Sequence, residues 1–388
     1  MGRSASAPKR DACLRTKVEL ALLSASVQEI GPGHRIAIFD LEYTRPQRDF
    51  GSAATLKSRW PVDANVKLAG LAGVFVYLYT ISRTIGIRPD HAFLSLIVFV
   101  FLAYGRKWGK LFLIDWSPFI IFWVAYDMMR GVADSIRGQI NVEGPYNLEA
   151  SLFGWLTPAA VPAFYFQQFQ IAHDGTWIRT LFDLTSALMY ALHFVSPLIL
   201  GWFFWHTLNE RRTFYICVYA FTVLNVMALI TFMVYPAAPP WYVYQHGFVQ
   251  PSKAILDSAG GLVNFDRIVG KRLFVSFYNT FNSNLFAAIP SLHSGYPTMI
   301  ALCLWWRLRG RSWLFIGYPL LAWFAAVYLN HHYVIDLVIG SVYAVVAWGI
   351  NRFVLVPFVF DRFVDYEVTS RQVFKSSFEP HARGSEAT

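Results

Sequence analysis

Mostly apolar stretches of about 20 residues recur along the chain, separated by short polar or basic segments. They lie near 66–86, 109–129, 181–206, 211–235, 291–308, 312–330 and 333–357, with a shorter run at 91–104. A helix rising 1.5 Å per residue crosses the roughly 30 Å hydrocarbon core of a bilayer in about 20 residues. Each long run therefore predicts a transmembrane helix, and the short one predicts an eighth span or the buried tip of a helix pair. Two polar intervals are long. The first, about 131–180, contains FGWLTPAAVPAFYFQQFQ (153–170), whose aromatic residues suit the headgroup layer. It predicts a short amphipathic helix that either packs over the bundle or guides lipid. The second, 236–290, opens with YPAAPPWYVYQHG, where prolines end the preceding helix and stiffen the exit. With no internal repeat, the pattern gives three parts. Residues 1–60 form a partly disordered cytoplasmic arm, 61–358 a transmembrane catalytic domain, and 359–388 a flexible cytoplasmic tail.

Composition agrees with the pattern. Of 388 residues, 55% are hydrophobic and 18% aromatic, and the mean hydropathy is +0.39, too apolar for a soluble domain of this length. The expected fold class is all-α, a polytopic transmembrane helix bundle. A formal charge of +9 raises nucleic acid as a partner, but no basic, aromatic-interleaved soluble module carries that reading. The charge falls instead in GRKWGK (105–110), NERR (209–212) and RLRGR (307–311). With eight spans and a cytoplasmic N-terminus, all three become inner loops, which is the positive-inside pattern. The same count sends 130–180, 236–290 and the NHHY turn to the opposite face. VELALLSASV (18–27) is interrupted by Glu19 and reads as part of the arm rather than a signal peptide. Three cysteines are too few for a disulfide framework, which suits a bacterial plasma membrane.

Ionisable groups at membrane depth are costly and are kept where they face a cavity or a partner. AIPSLHSGYPTM (288–299) places His293 at the start of one span, and LNHHYVIDLVIG (329–340) places His332 at the end of the next. Asp336 follows His332 by four residues, so on a helix its carboxylate lies beside the imidazole. His331 is five residues away, about 500° of rotation, and is expected to point elsewhere. Spacing alone leaves three readings open: a structural hydrogen bond, a catalytic pair, and two ligands of a metal. Asp127, Arg130, Asp134 and Arg137 make a charged stripe that is either a self-satisfied ion-pair ladder or an anion site. Arg267, Lys271 and Arg272 precede His293 in the chain and are rival cations. Ser291 and Ser294 either donate to a phosphate or satisfy helix-end amides, and Asn330 and Tyr333 are candidates for lining the cleft. Tyr242 closes the PPWY turn and His246 follows it, within reach of a headgroup. His173, His193 and His206 match no part of the pattern and read as structural or interfacial.

PSLHSG (290–295) and HHYVID (331–336) resemble the second and third signature motifs of the type 2 phosphatidic acid phosphatase superfamily. YPAAPPWY (235–242) and YDMMRGVAD (126–134) additionally resemble its inositol phosphorylceramide synthase-like branch. The resemblance covers roughly residues 120–350. It implies a six-helix core with extra N-terminal helices and a double displacement that needs neither metal nor cofactor. His332 would attack phosphorus, Asp336 would orient it, and His293 would protonate the leaving oxygen. The implied donor is a phospholipid, with inositol phosphate from phosphatidylinositol as the transferred headgroup, and the acceptor is a hydroxylated lipid or glycan. Two departures stand out. The Lys and Arg cradle of the phosphatases is missing, and the position six before the third-motif histidine is Ala326 rather than Arg. Both favour transfer between alcohols over hydrolysis, and both require other cations at the phosphate. Arg130 is the first choice, with Asp127, Asp134 and Arg137 beside it and Lys271 and Arg272 as rivals. The alternative is a lipid-phosphate or polyprenyl-pyrophosphate phosphatase. A proton-relaying transporter is the reading from a different class.

Overall fold

In the computed structural model, the described residues are 28–29, 35–36, 64–84, 89–136, 139–208, 210–245, 262–270, 284–308 and 313–360. The chain divides into two units, Met1–Pro61 and Val62–Thr388. In the first, the described residues form one antiparallel pair, β1 (Gln28–Glu29) with β2 (Arg35–Ile36). The expected disorder of the arm and the C-terminal tail falls almost wholly outside the described residues.

The second unit is a helix bundle. It runs α1 (Ala64–Thr84), α2 (Pro89–Ile136), α3 (Glu143–Phe153), α4 (Pro162–Ala172), α5 (Trp177–Trp202) and α6 (Arg211–Val234). There follow α7 (Pro240–Gln245), α8 (Leu262–Val269), α9 (Leu292–Arg307), α10 (Gly317–Tyr328) and α11 (Val334–Ile350). Within α2, Gly105 takes φ 79 and ψ 170, which breaks the helix. Such a φ suits a residue without Cβ. The chain folds back there, laying the Phe101 ring against Gly109, so the short run at 91–104 is a separate helix from the span after it.

Among the described residues, four helical stretches are long and apolar enough to cross a membrane: Gly109–Met128, Trp177–Thr207, Arg212–Val234 and Val334–Pro357. The span expected at 66–86 keeps only a shorter apolar stretch, Leu68–Ile81, and those expected at 291–308 and 312–330 are shorter helices, 16 residues in α9 and 12 in α10. The polar motifs shorten them: α9 starts only after Pro290 and Ser291, and α10 stops at Tyr328, before the histidines. The interval 131–180 is also more regular than a loop. α2 continues to Ile136, α3 and α4 follow, and α5 starts four residues earlier than the apolar run suggests.

Aromatic residues fill the centre. Trp116 lies 5.3 Å from Phe112 and 5.2 Å from Phe214 between ring centroids, and Gly201 leaves room for its indole. Met299, Cys303, Ala344 and Ala347 complete this core from α9 and α11, and the cysteines behave there as small apolar groups. Ile121, Leu188, Ile199, Ile230 and Val345 point outward and are exposed, as expected of a surface solvated by lipid. At one end of the bundle, Arg307 donates from Nε to Glu210 at 2.7 Å, tying the end of α9 to the start of α6.

Asp115 lies inside a span yet is buried, accepting hydrogen bonds from Trp205 Nε1 at 2.6 Å and from the Tyr215 hydroxyl. Asp115→Ala would leave two donors without this acceptor and is expected to cost about 2 to 4 kcal/mol. Thermal unfolding in detergent checks this; a variant as stable as the parent contradicts it.

Candidate active site

Two chain reversals meet at the other end of the bundle. In the first, α6 gives way to PAAPP. Asn141 N donates to Pro236 O at 2.8 Å, Ala238 N to Asn141 O at 2.9 Å, and Ala237 N to Phe286 O at 2.9 Å. The entry to α3, the proline loop and the approach to α9 are thus laced together. In the second reversal, α10 ends and Asn330 adopts φ 61, a left-handed conformation that Asn tolerates better than most residues. His331 N and His332 N then both donate to Ala326 O, at 3.0 and 3.2 Å. Ala326 is buried, so where phosphatases of the resembling family carry an arginine, this chain has a small residue whose carbonyl receives the two histidine amides.

Three candidate residues converge. His332 Nε2 is 2.9 Å from His293 Nδ1, and His332 Nδ1 is 3.3 Å from Asp336 Oδ2. Asp336 Oδ2 also accepts from Tyr333 N at 2.9 Å. Ser291 N donates to Asp336 O at 3.2 Å, joining the two motifs through their backbones. His332 is not on the helix, which starts at Val334; it precedes the capping residue Tyr333. This also corrects the expectation for His331. Helical rotation does not apply before Val334, and His331 faces the same cavity, its ring 4.8 Å from Tyr190 and 6.0 Å from His293.

The cavity is a cleft lined by Tyr126, Tyr190, His193, Trp241, Asn284 and the three histidines 293, 331 and 332, among others. His193 is a second correction. Its ring centroid is 3.8 Å from that of His293, and its Nδ1–H donates to Tyr190 O. An ionisable ring in the middle of a span, three residues from a tyrosine, is itself the signal that membrane depth makes costly; weighing it by motif membership missed it. His173 and His206 lie apart, against Phe169 and Trp202.

The remaining candidates divide. Ser291 is buried with no hydrogen-bond partner for Oγ among the described residues, whereas Ser294 Oγ donates to Ser291 O at 2.9 Å. Tyr242 packs its ring 5.0 Å from Phe286, and its neighbour Trp241 lines the cavity instead. Asp127 is buried, and again its neighbour Tyr126 is the one that lines the cavity. Arg130 and Asp134 belong to α2, with side chains outside the described set; Arg137, His246, Lys271 and Arg272 lie outside the described residues. Arg267 on α8 is exposed. Among the described residues no Lys or Arg lines the cavity, and no group of three or more His, Cys, Asp or Glu side chains could hold a metal ion.

Glu149 escaped the sequence reading altogether. It is fully buried on α3 and accepts from Val334 N and Ile335 N, each at 3.0 Å. Burial pushes its carboxyl up to about 7, while the two amides pull the other way and nearby Asp336 adds to the rise. Its partners lie 185 and 186 residues away in sequence, so no local pattern could have marked it.

Comparison with known proteins identifies the family. The PAP2 superfamily signature matches residues 163–350, from α4 to the end of α11. A phosphoinositol dihydroceramide synthase of Bacteroides thetaiotaomicron is 30% identical over 304 residues, 75% of this chain and 94% of the relative. The chain belongs to the PAP2 superfamily. Its relatives place it in the inositol phosphorylceramide synthase-like branch, and it is a phosphotransferase embedded in the membrane. An inositol phosphorylceramide synthase of Candida albicans is 30% identical over 178 residues, 45% of this chain and 37% of that protein. The catalytic subunit of the Saccharomyces cerevisiae enzyme is 35% identical over 136 residues, 35% of this chain and 34% of the relative. The fungal matches thus cover about a third of those proteins. No solved structure matches the chain.

Proposed function

We propose that this PAP2-superfamily protein transfers inositol phosphate from phosphatidylinositol to the hydroxyl of a ceramide-class lipid through a phosphohistidine on His332. The observation that carries the reading is His332 held between Asp336 on Nδ1 and His293 on Nε2. With Asp336 ionised, Nδ1 keeps its proton and donates it to the carboxylate, which leaves a lone pair on Nε2, the nucleophilic tautomer. His293, carrying a proton on both ring nitrogens for the first half-reaction, then donates from its own Nδ1 and is left as neutral imidazole once that proton is given up.

Phosphate of the donor lipid enters between the two rings. His332 Nε2 bonds to phosphorus as the bond from phosphorus to the glycerol oxygen breaks, and His293 gives that oxygen its proton, releasing diacylglycerol. In the second half the acceptor hydroxyl loses its proton to His293, its oxygen attacks phosphorus, and the N–P bond breaks. Buried Ser291 Oγ and Arg130, the latter one helical turn beyond Tyr126 on α2, are the groups we assign to the phosphate oxygens, with Arg137, Lys271 and Arg272 as further cations. Relatives named for ceramide products, together with Ala326 in place of the phosphatase arginine, favour an alcohol over water as the second nucleophile. The positive-inside pattern supports a site facing away from the cytoplasm with both termini inside. The ion pair of Glu210 with Arg307, at the bundle end away from the histidines, agrees with it. A bacterial plasma membrane is the host we assign.

The test is a pulse and chase. Purified protein is mixed with phosphatidylinositol labelled at phosphorus and chelator, quenched in base, and probed for acid-labile label on the chain. Label that then moves to added ceramide, with diacylglycerol released, is the expected result. Free phosphate from phosphatidate, with phosphatidylinositol untouched, would transfer the assignment to a phosphatase.

A further inference from the structure

The start of α11 is capped from far away. A helix leaves its first amides without intrahelical partners, and a Ser, Thr, Asp or Asn at the cap normally takes one of them. Here the cap residue is Tyr333, and Asp336 spends Oδ2 on Tyr333 N and on His332. The amides of Val334 and Ile335 go to Glu149, one to each carboxylate oxygen. A local aspartate would cap the helix without drawing a second carboxylate out of solvent, and burying a carboxylate is costly. The chain instead binds α3 to the two residues that separate His332 from Asp336 along the backbone, apart from the capping tyrosine itself. The start of α3 is fixed as well, because Asn141 just before it is laced to the proline loop and, through Ala237, to the segment leading into His293. On either side of Glu149, Tyr146 and Phe153 pack against the cluster of Val243, Tyr333 and Ile335. Helix α3 thus bridges the segments that carry the two histidines.

We propose that Glu149 is a positioning residue of the transfer reaction: by holding the first amides of α11 it fixes His332 and Asp336 relative to one another and to His293. The proposal rests on the histidine mechanism above. It assigns Glu149 no contact with substrate, so its effect belongs in turnover rather than in donor binding.

The experiment measures kcat and KM for phosphatidylinositol with ceramide in mixed micelles, using the purified full chain and its variants E149Q, E149D, D336N, E149Q/D336N and H332A. A glutamine offers one acceptor and sets its NH₂ against the second amide. E149Q is therefore expected to lower kcat about tenfold with KM within about twofold of the parent, since small misplacements of reacting groups are magnified in rate. E149D, with the charge but less reach, is expected to fall between the parent and E149Q, and supplies the reading if E149Q does not fold. Combined with D336N, E149Q is expected to add no further loss, because both act through His332. A folded E149Q with parental kcat, an E149D slower than E149Q, or a double variant that loses the full product of the single effects would each overturn the proposal. H332A separates the two levels. If it retains turnover, the histidine mechanism itself fails; if it is inactive while E149Q is unimpaired, only the role of Glu149 fails.

Discussion

His332→Ala is expected to reduce phosphoryl transfer at least about 1,000-fold and to abolish acid-labile labelling of the chain, because it removes the atom that carries the phosphoryl group. His293→Ala is expected to cost about 100- to 10,000-fold, the range for loss of a general acid and base. Its signature differs, since His332 Nε2 is still present and slow labelling survives. The double variant is expected to be no slower than His332→Ala alone, since residues acting as a unit do not contribute independently. Both rings are packed, His293 against Tyr190 and His193, so truncation also opens space in the core. His332→Gln keeps most of the volume and separates chemistry from packing: a folded His332→Gln with more than about a tenth of parental turnover would defeat the nucleophile assignment. So would phosphoenzyme of normal amount in His332→Ala.

What the sequence makes legible here is what lies close along the chain. Four of the apolar runs, at 109–129, 181–206, 211–235 and 333–357, prove to be helices long and apolar enough to cross a membrane among the described residues, because a bilayer imposes length and composition on each helix by itself. The His332 and Asp336 pair is legible because four residues separate its members, even though His332 sits on the turn before the helix. That same detail hides His331, whose direction follows from the Ala326 carbonyl and the left-handed Asn330 rather than from helical periodicity. Whether two motifs 39 residues apart meet at hydrogen-bond distance is a property of helix packing. His193 arrives from α5 and Glu149 from α3, each contributed by an element that carries none of the signature motifs. The charged stripe on α2 shows the reverse limit: its spacing is plain, yet of its members only Asp127 has a described side chain, and the residue lining the cavity is its apolar-bodied neighbour Tyr126.

Packing of α9 on α11 brings the histidines together, and one residue controls it. Helices in lipid gain no hydrophobic drive from meeting each other, so close approach depends on small residues at the contact. Gly340 lies four residues after Asp336, on the same face of α11. A Cβ there would fall well inside contact distance of Ser291 O and Ser294 Oγ and 3.0 Å from the Ser291 carbonyl carbon. Ser291 cannot turn away, because the obstruction is backbone and its amide is bonded to Asp336 O. Gly340→Ala is therefore expected to push the first turn of α9 off α11 and to carry His293 with it. The variant is expected to lose about 1 to 3 kcal/mol of stability, as overpacked cores do, and about 100-fold or more in turnover, because a displacement of about 1 Å breaks the 2.9 Å contact between the rings. Gly295→Ala is the control from the other side of the same contact. Its Cβ would meet Gly340 O at 3.3 Å and Leu224 Cδ2 at 3.4 Å, which a shift of a few tenths of an ångström relieves, and its turnover is expected to stay within about tenfold of the parent. Measured together by thermal unfolding and phosphatidylinositol turnover, the pair tests whether helix spacing sets the catalytic distance. Gly340→Ala with parental turnover, or Gly295→Ala as damaging as Gly340→Ala, would show that it does not.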